Sequence, residues 1–164
     1  MSRRCSLTPW NKQCDGPIAA RRISPNALNM VGILLLTHAP LGNAFIEAAT
    51  HVFRSRPERL EAIDVLADQD PNEVSRNARE AIARLDDGSG VLVITDVMGG
   101  TPSNCTLCLA EPGHVDIIAG ISLPMLLRAI TYRNDTLDVV MEMALAGGQN
   151  GATRVDNRIR LSPN

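Results

Sequence analysis

The sequence predicts an α/β fold: a mainly parallel, doubly wound sheet with helices on both faces. Three observations lead there. Strand-like and helix-like segments alternate from Met30 onward, the pattern of a parallel sheet with crossover helices. The strand-like segments are continuous apolar runs, as expected of strands covered on both faces. Their carboxyl ends carry polar or glycine residues, at the edge where open parallel sheets hold their ligands.

Residues 1–28, "MSRRCSLTPWNKQCDGPIAARRISPNAL", lack a sustained period and mix Pro, Gly, Arg and Ser. They also lack the apolar core of a signal peptide. The expectation is an extension outside the domain, a candidate for disorder, with the domain proper at 29–164. "VGILLL" (31–36) is the first strand. Leu41, Phe45, Ala48, Ala49 and Val52 then follow helical spacing. "LEAIDVL" (60–66) is the second strand. The next segment has helix-start signals: Asp70 as cap, Pro71 in the first turn and Glu73 three residues after the cap. Val74, Ala78, Ala81, Ile82 and Leu85 make its apolar stripe, and Gly88 is its expected stop.

"GVLVIT" (90–95) is the third strand, and Asp96 follows it. Thr101 caps a further helix, with Pro102 at its first position. "VDIIAG" (115–120) is the fourth strand. "LPMLLRAITY" (123–132) and "TLDVVMEMALAGG" (136–148) read as two helices. "TRVDNRIRL" (153–161) reads as an edge strand or a tail.

Composition narrows the function. The 164 residues are enough for one domain with a real core. No apolar run approaches the ~20 residues of a membrane span. A net charge of -2 and 2% aromatic residues leave neither an electrostatic footprint nor a stacking platform for nucleic acid. Lys12 is the sole lysine, so the folded part holds neither a P-loop lysine nor a Schiff-base nucleophile. Four cysteines, two of them in a CxxC at Cys105 and Cys108, do not make a disulfide scaffold. They point to a reducing compartment.

The chemistry gathers at the strand ends. In "LLLTHAPLG" (34–42), His38 ends the first strand pattern; in "TDVMGGTPSN" (95–104), Asp96 is followed by Gly99, Gly100 and Thr101. Gly120-Ile121-Ser122 lies at the same edge after the fourth strand. Glycines leading into a helix N-terminus make an anion site. A neutral imidazole is a good nucleophile near neutral pH. A carboxylate on one ring N–H fixes its tautomer and leaves the other nitrogen to attack. Glycine-loop amides and the Thr101 hydroxyl can stabilise phosphoryl oxygens. The set therefore suits a phosphoryl group carried on nitrogen, with no metal or cofactor required. Alone, each piece has an ordinary explanation: a loop histidine, a turn carboxylate, a tight turn feeding a helix. Together on one edge they favour function. His51, on the first helix, and His114, in a turn, read as solvated.

These residues match a family. The chain resembles the IIA domain of the mannose-type (mannose/fructose/sorbose) sugar phosphotransferase system, a cytoplasmic phosphohistidine carrier. "VGILLLTHAPLGNAFIEAA", "GVLVITDVMGGTPSNC" and "VDIIAGISLPMLLRAI" carry the resemblance, in order, over roughly residues 30 to 155. It implies that His38 is phosphorylated on Nε2, that Asp96 holds Nδ1–H, and that Thr101 and the Gly99 and Gly100 amides contact the phosphoryl group. It implies phospho-HPr as donor, a IIB protein as acceptor, and contact with the membrane only through a IIC/IID complex. It also implies a homodimer, with 153–161 as a candidate strand swapped between subunits. The sequence departs from the family at residues 1–28, at Ala39-Pro40, and at Val97-Met98, where an aromatic is usual.

Two other readings compete. One is a regulatory IIA whose phosphorylation state controls a partner, or which feeds a dihydroxyacetone kinase, without sugar flux. The other, of a different class, is a CxxC redox or metal-binding domain. Against that one, redox cysteines open a helix, whereas Cys105 and Cys108 fall a turn after the predicted start at Thr101-Pro102.

Overall fold

A computed structural model of the chain describes residues 30–100 and 109–154. The expected extension at 1–28, Thr101, the CxxC and most of the expected C-terminal strand lie outside the described residues. The described elements are β1 (Gly32–His38), α1 (Leu41–Phe53), β2 (Leu60–Val65), α2 (Pro71–Leu85), β3 (Val91–Thr95), β4 (Val115–Ala119), α3 (Leu123–Tyr132) and α4 (Leu137–Asn150). The four strands form one sheet in the order β2-β1-β3-β4, and every pairing is parallel. The predicted α/β class is the observed one. Beyond β4, Thr153 and Arg154 are not in a strand.

The sheet is covered on both sides, which is why its strands read as unbroken apolar runs. Ile33 and Leu35 of β1, with Leu92 and Ile94 of β3, pack against α1, α3 and α4. Leu34, Leu36, Val91 and Val93 face the other way, onto Val74, Ala78, Ala81, Ile82 and Leu85 of α2. The α2 stripe is the one the spacing predicts. Its cap is simpler than expected: the Asp70 carboxylate accepts from the Asn72 N–H at 3.0 Å, satisfying one of the orphan donors at the helix start. The helix stops at Leu85, before Gly88, because Asp86 turns to an extended conformation and its carboxylate takes the Gly88 and Gly90 N–H groups.

Three further expectations are corrected. β1 runs on through Thr37 to His38, since parallel pairing with β2 continues to the His38–Val65 pair. In α1 the buried face is Gly42, Ile46 and Ala49, with Phe45 half-buried, while Leu41 and Val52 are exposed. That face is the predicted stripe rotated by one position, because the helix lays Gly42 against β2. α4 continues through Gly147 and Gly148 to Asn150. It therefore starts one residue later and ends two later than the expected 136–148, and its glycines, inside the helix as expected, lie against Pro124 and Met125 of α3 and allow close packing. No helix among the described residues is long and apolar enough to cross a membrane.

Leu126 of α3 is fully buried in the face shared by α1, α3 and α4. Leu126→Ala is expected to cost about 2–5 kcal/mol. Val52→Ala, on an exposed side chain, should stay within about 0.5 kcal/mol. Urea denaturation of the two variants checks the contrast.

Candidate active site

The strand order reverses direction between β1 and β3. The first crossover leads from β1 outward to β2; the next returns past β1 to β3. At such a switch point the loops diverge and leave a crevice at the carboxyl ends of the two strands. His38 is the last residue of β1, and Asp96 is the first after β3. The fold thus brings together two residues separated by 58 positions.

One carboxylate oxygen of Asp96 makes both contacts to His38. Oδ2 accepts from the His38 backbone N–H at 3.0 Å and lies 2.8 Å from ring Nδ1. Oδ1 accepts from the Val97 N–H at 2.8 Å. The carboxylate is thereby oriented through both oxygens, and the imidazole is held at backbone and ring. Burial alone would raise the Asp96 pKa. The hydrogen bonds from the His38 backbone, the His38 ring and the Val97 N–H outweigh it, with the His38 charge adding to them, and hold the group below its ordinary value. The Asp96 side chain is 11% exposed and that of His38 50%. Nδ1 is therefore held on the protein side, and Nε2 has no hydrogen-bond partner among the described residues.

Gly100 stands beside the ring. A β-carbon on Gly100 would lie 3.0 Å from His38 Cε1 and 3.6 Å from Nε2. A residue with a β-carbon here would have to push the ring aside by a few tenths of an ångström. Gly99 has φ +83°, the left-handed region that favours glycine. Three of the expected site residues, His38, Asp96 and Gly100, thus converge, with Gly99 shaping the turn; Thr101 lies outside the described residues. Ser122 does not join them. It caps α3, accepting from the Met125 N–H at 3.4 Å. His51 is exposed in the last turn of α1, and His114 is exposed in the turn before β4, at the opposite edge of the sheet. Among the described residues, no group of three or more His, Cys, Asp or Glu side chains is placed to hold a metal ion.

Sequence reasoning missed Asp64. It is the penultimate residue of β2, and its carboxylate accepts from the N–H of Gly42 at 2.7 Å and the side-chain amide of Asn43 at 2.7 Å. It also accepts from the Thr37 hydroxyl at 3.3 Å. The available signal was negative. "HAPLG" has no Ser, Thr, Asp or Asn where α1 begins, and Pro40, at the cap position, makes no side-chain bond there. The orphan N–H groups of that helix start had to find an acceptor elsewhere. The same edge exposes apolar side chains: Leu41, Leu66 after β2, and Val97 and Met98 after β3, with Met98 83% exposed.

Residues 32–145 match the sequence profile of the family described as "PTS system fructose IIA component". The chain belongs to this family. It is a IIA component of the mannose/fructose type, a phosphotransferase component of the sugar phosphotransferase system. Among curated relatives, the mannose-specific EIIAB component of Escherichia coli K12 is 25% identical over 124 residues, covering 74% of this chain and 38% of the relative. The IIA chain thus spans well under half the length of that protein. The fructose-specific EIIA component of Bacillus subtilis is 25% identical over 105 residues, 63% of this chain and 71% of the relative. The fold recurs in phosphotransferase system component EIIA from Streptococcus agalactiae, with TM-score 0.68, 21% identity, and coverage of 76% of this chain and 97% of that one. It recurs also in a mannose/sorbose-specific IIA subunit from Enterococcus faecalis, with TM-score 0.68, 17% identity, and coverage of 77% and 96%.

The lowered Asp96 pKa makes a signed prediction. A carboxyl whose folded pKa is depressed adds stability that is complete above its unfolded value, about 3.9, and is lost as pH falls through the lower folded value. Asp96→Asn removes that contribution. The stability gap between wild type and Asp96→Asn should therefore be widest above about pH 5 and should close as pH falls below about 4. Urea unfolding at a series of pH values checks the direction.

Proposed function

We propose that this IIA component carries a phosphoryl group on Nε2 of His38, taking it from phospho-HPr and passing it to a IIB protein for sugar uptake at the cytoplasmic side of the membrane. The single observation that supports the assignment is the 2.8 Å contact between Asp96 and Nδ1 of a half-exposed ring, with Nε2 left facing outward beside Gly100. With Nδ1 holding the proton, the lone pair is on Nε2. That nitrogen attacks the phosphorus of the donor, the donor's N–P bond breaks, and a new N–P bond forms on His38. Positive charge grows on the imidazole as it does so, and Asp96 faces that charge. The Gly99 and Gly100 backbone and Thr101 are the proposed partners of the phosphoryl oxygens. Onward transfer to the acceptor is the same step in reverse.

The exposed apolar side chains around His38 support a macromolecular partner. Leu41 at the start of α1, Leu66 after β2, and Val97 and Met98 after β3 lie at one edge. Apolar residues grouped on a surface mark sites of protein association. A homodimer belongs to the same reading. It rests on the family resemblance, the apolar run in α4 and exposed Leu145. Light scattering should then return twice the chain mass of 17.7 kDa; the single mass at micromolar concentration would remove this part.

The test of the carrier role is incubation with phosphoenolpyruvate, enzyme I and HPr, followed by mass analysis. Wild type should gain one acid-labile phosphate. His38→Ala should gain none, and His51→Ala and His114→Ala should behave as wild type; labelling of His38→Ala would overturn the assignment. Asp96→Asn should slow the transfer by about two orders of magnitude, the equivalent of ~3 kcal/mol. Rapid-quench kinetics on the folded variant measures it.

A further inference from the structure

We propose that Asp64 is a positioning residue for phosphoryl transfer, holding the His38 segment from the β2 side as Asp96 holds it from the β3 side. The inference rests on the reading of His38 as the phosphoryl acceptor.

Asp64 grips the chain on both flanks of His38. Before it, the Thr37 hydroxyl donates to Oδ1 at 3.3 Å. After it, the Gly42 N–H donates to Oδ1 at 2.7 Å, and the Asn43 side-chain amide donates to Oδ2 at 2.7 Å, with the Asn43 N–H at 3.4 Å. Between these anchors, the Ala39 N–H donates to the carbonyl of Val65, the residue after Asp64. The segment from Thr37 to Asn43 is therefore tied to the end of β2 on both sides of His38, whose own N–H and ring go to Asp96. One carboxylate, with four lone-pair sites, satisfies four donors.

Sterics show that the fit is close. A β-carbon on Gly42 would lie 2.9 Å from Asp64 Oδ1, 3.0 Å from Ala62 Cβ and 3.0 Å from Thr37 Oγ1. The glycine makes room for the carboxylate at the first turn of α1. The charge is also well placed there, since a helix N-terminus carries partial positive charge. That N-terminus is consequently taken by an internal carboxylate, and the glycine pair on the β3 side is left as the place for an incoming phosphoryl group.

A cap that only stabilised α1 would affect folding. A positioning residue must also affect the ring. The Asp96–Nδ1 contact needs His38 at a fixed height on β1, and a displacement of about 1 Å can cost on the order of 100-fold in rate. Releasing Asp64 would let the Thr37–Asn43 segment move, and the Nδ1 contact would loosen with it.

The experiment uses the full chain as Asp64→Ala, Asp64→Asn and Gly42→Ala. Three quantities are measured: the melting temperature, the ¹⁵N shifts of the His38 ring, and single-turnover phosphoryl uptake from phosphorylated HPr. In wild type the ring shifts should report one tautomer, protonated at Nδ1. In folded Asp64→Ala and Gly42→Ala they should move toward a mixture of tautomers. Uptake at saturating donor should fall about 10- to 100-fold, while the donor concentration for half-maximal rate changes by less than about twofold, because the docking side chains are untouched. Asp64→Asn keeps the volume and turns one donor-facing oxygen into a donor, so it should fall between wild type and Asp64→Ala. An unchanged ring signature, or an unchanged uptake rate in a folded variant, would overturn the proposal. So would failure of Asp64→Asn to fold, which would assign Asp64 to stability alone. If wild type itself takes up no phosphate, the carrier reading fails, and the ring shifts still decide whether Asp64 positions His38.

Discussion

The hydrogen bonding of β1 on both of its edges is the constraint on which the rest of the structure depends. Parallel pairing to β2 runs to the His38–Val65 pair, and pairing to β3 runs from Gly32–Val91 to Leu36–Thr95. A strand at the edge of a sheet could slip or fray at its end. A central one cannot do so without breaking bonds on two sides. The catalytic proposal needs this rigidity, because one carboxylate oxygen has to meet both a backbone N–H and a ring nitrogen of the same residue. The apolar faces of β1 serve the same end. Ile33 and Leu35 on one side and Leu34 and Leu36 on the other lock the strand into two cores at once, so the polar tip is the only part left to chemistry.

Much of this was legible in the residues. Continuous apolar runs identified strands covered on both faces, and the α2 stripe from Val74 to Leu85 was read position by position, because period and burial agree there. α3 was read to its first and last residue, because Ser122 and Pro124 mark its start. The errors fall where local signals compete with tertiary contacts. In α1, Leu41 and Val52 fit the helical period as well as Gly42 and Ile46 do. Only the docking of Gly42 beneath Asp64 decides which set is buried. In α4 only the ends shift, by one residue at the start and two at the finish, because the helix runs on past its glycine pair where it packs on α3.

The site divides in the same way. His38 and Asp96 were legible because each ends a strand pattern at the carboxyl edge, and the glycine pair because it precedes a Thr-Pro helix start. Asp64 was not. Its neighbours Ile63 and Val65 make it look like one polar position in an ordinary strand, and its partners, the backbone N–H groups of Gly42 and Asn43 and the uncharged side chains of Thr37 and Asn43, lie more than 20 positions away. Charge partners carried by side chains leave a compositional trace. Backbone donors leave none, since every residue but proline has one.

Met98 differs in kind from the imidazole and the Asp96 carboxylate that holds it. It is an unbranched thioether, almost wholly in solvent, on the loop that also carries the glycine pair. Such a side chain adapts to surfaces of differing shape at little cost, which a flat aromatic in its place would not do. A carrier has to fit two partners in turn, one that loads it and one that unloads it. On the carrier reading proposed above, a fixed nucleophile beside a compliant contact would divide that labour: geometry is demanded where the bond is made, and tolerance is allowed where the visitor is greeted. The same exposure makes Met98 an open target for oxidants. Its sulfoxide is polar, so redox stress would reach this exposed apolar edge first and leave the buried bonding of β1 intact.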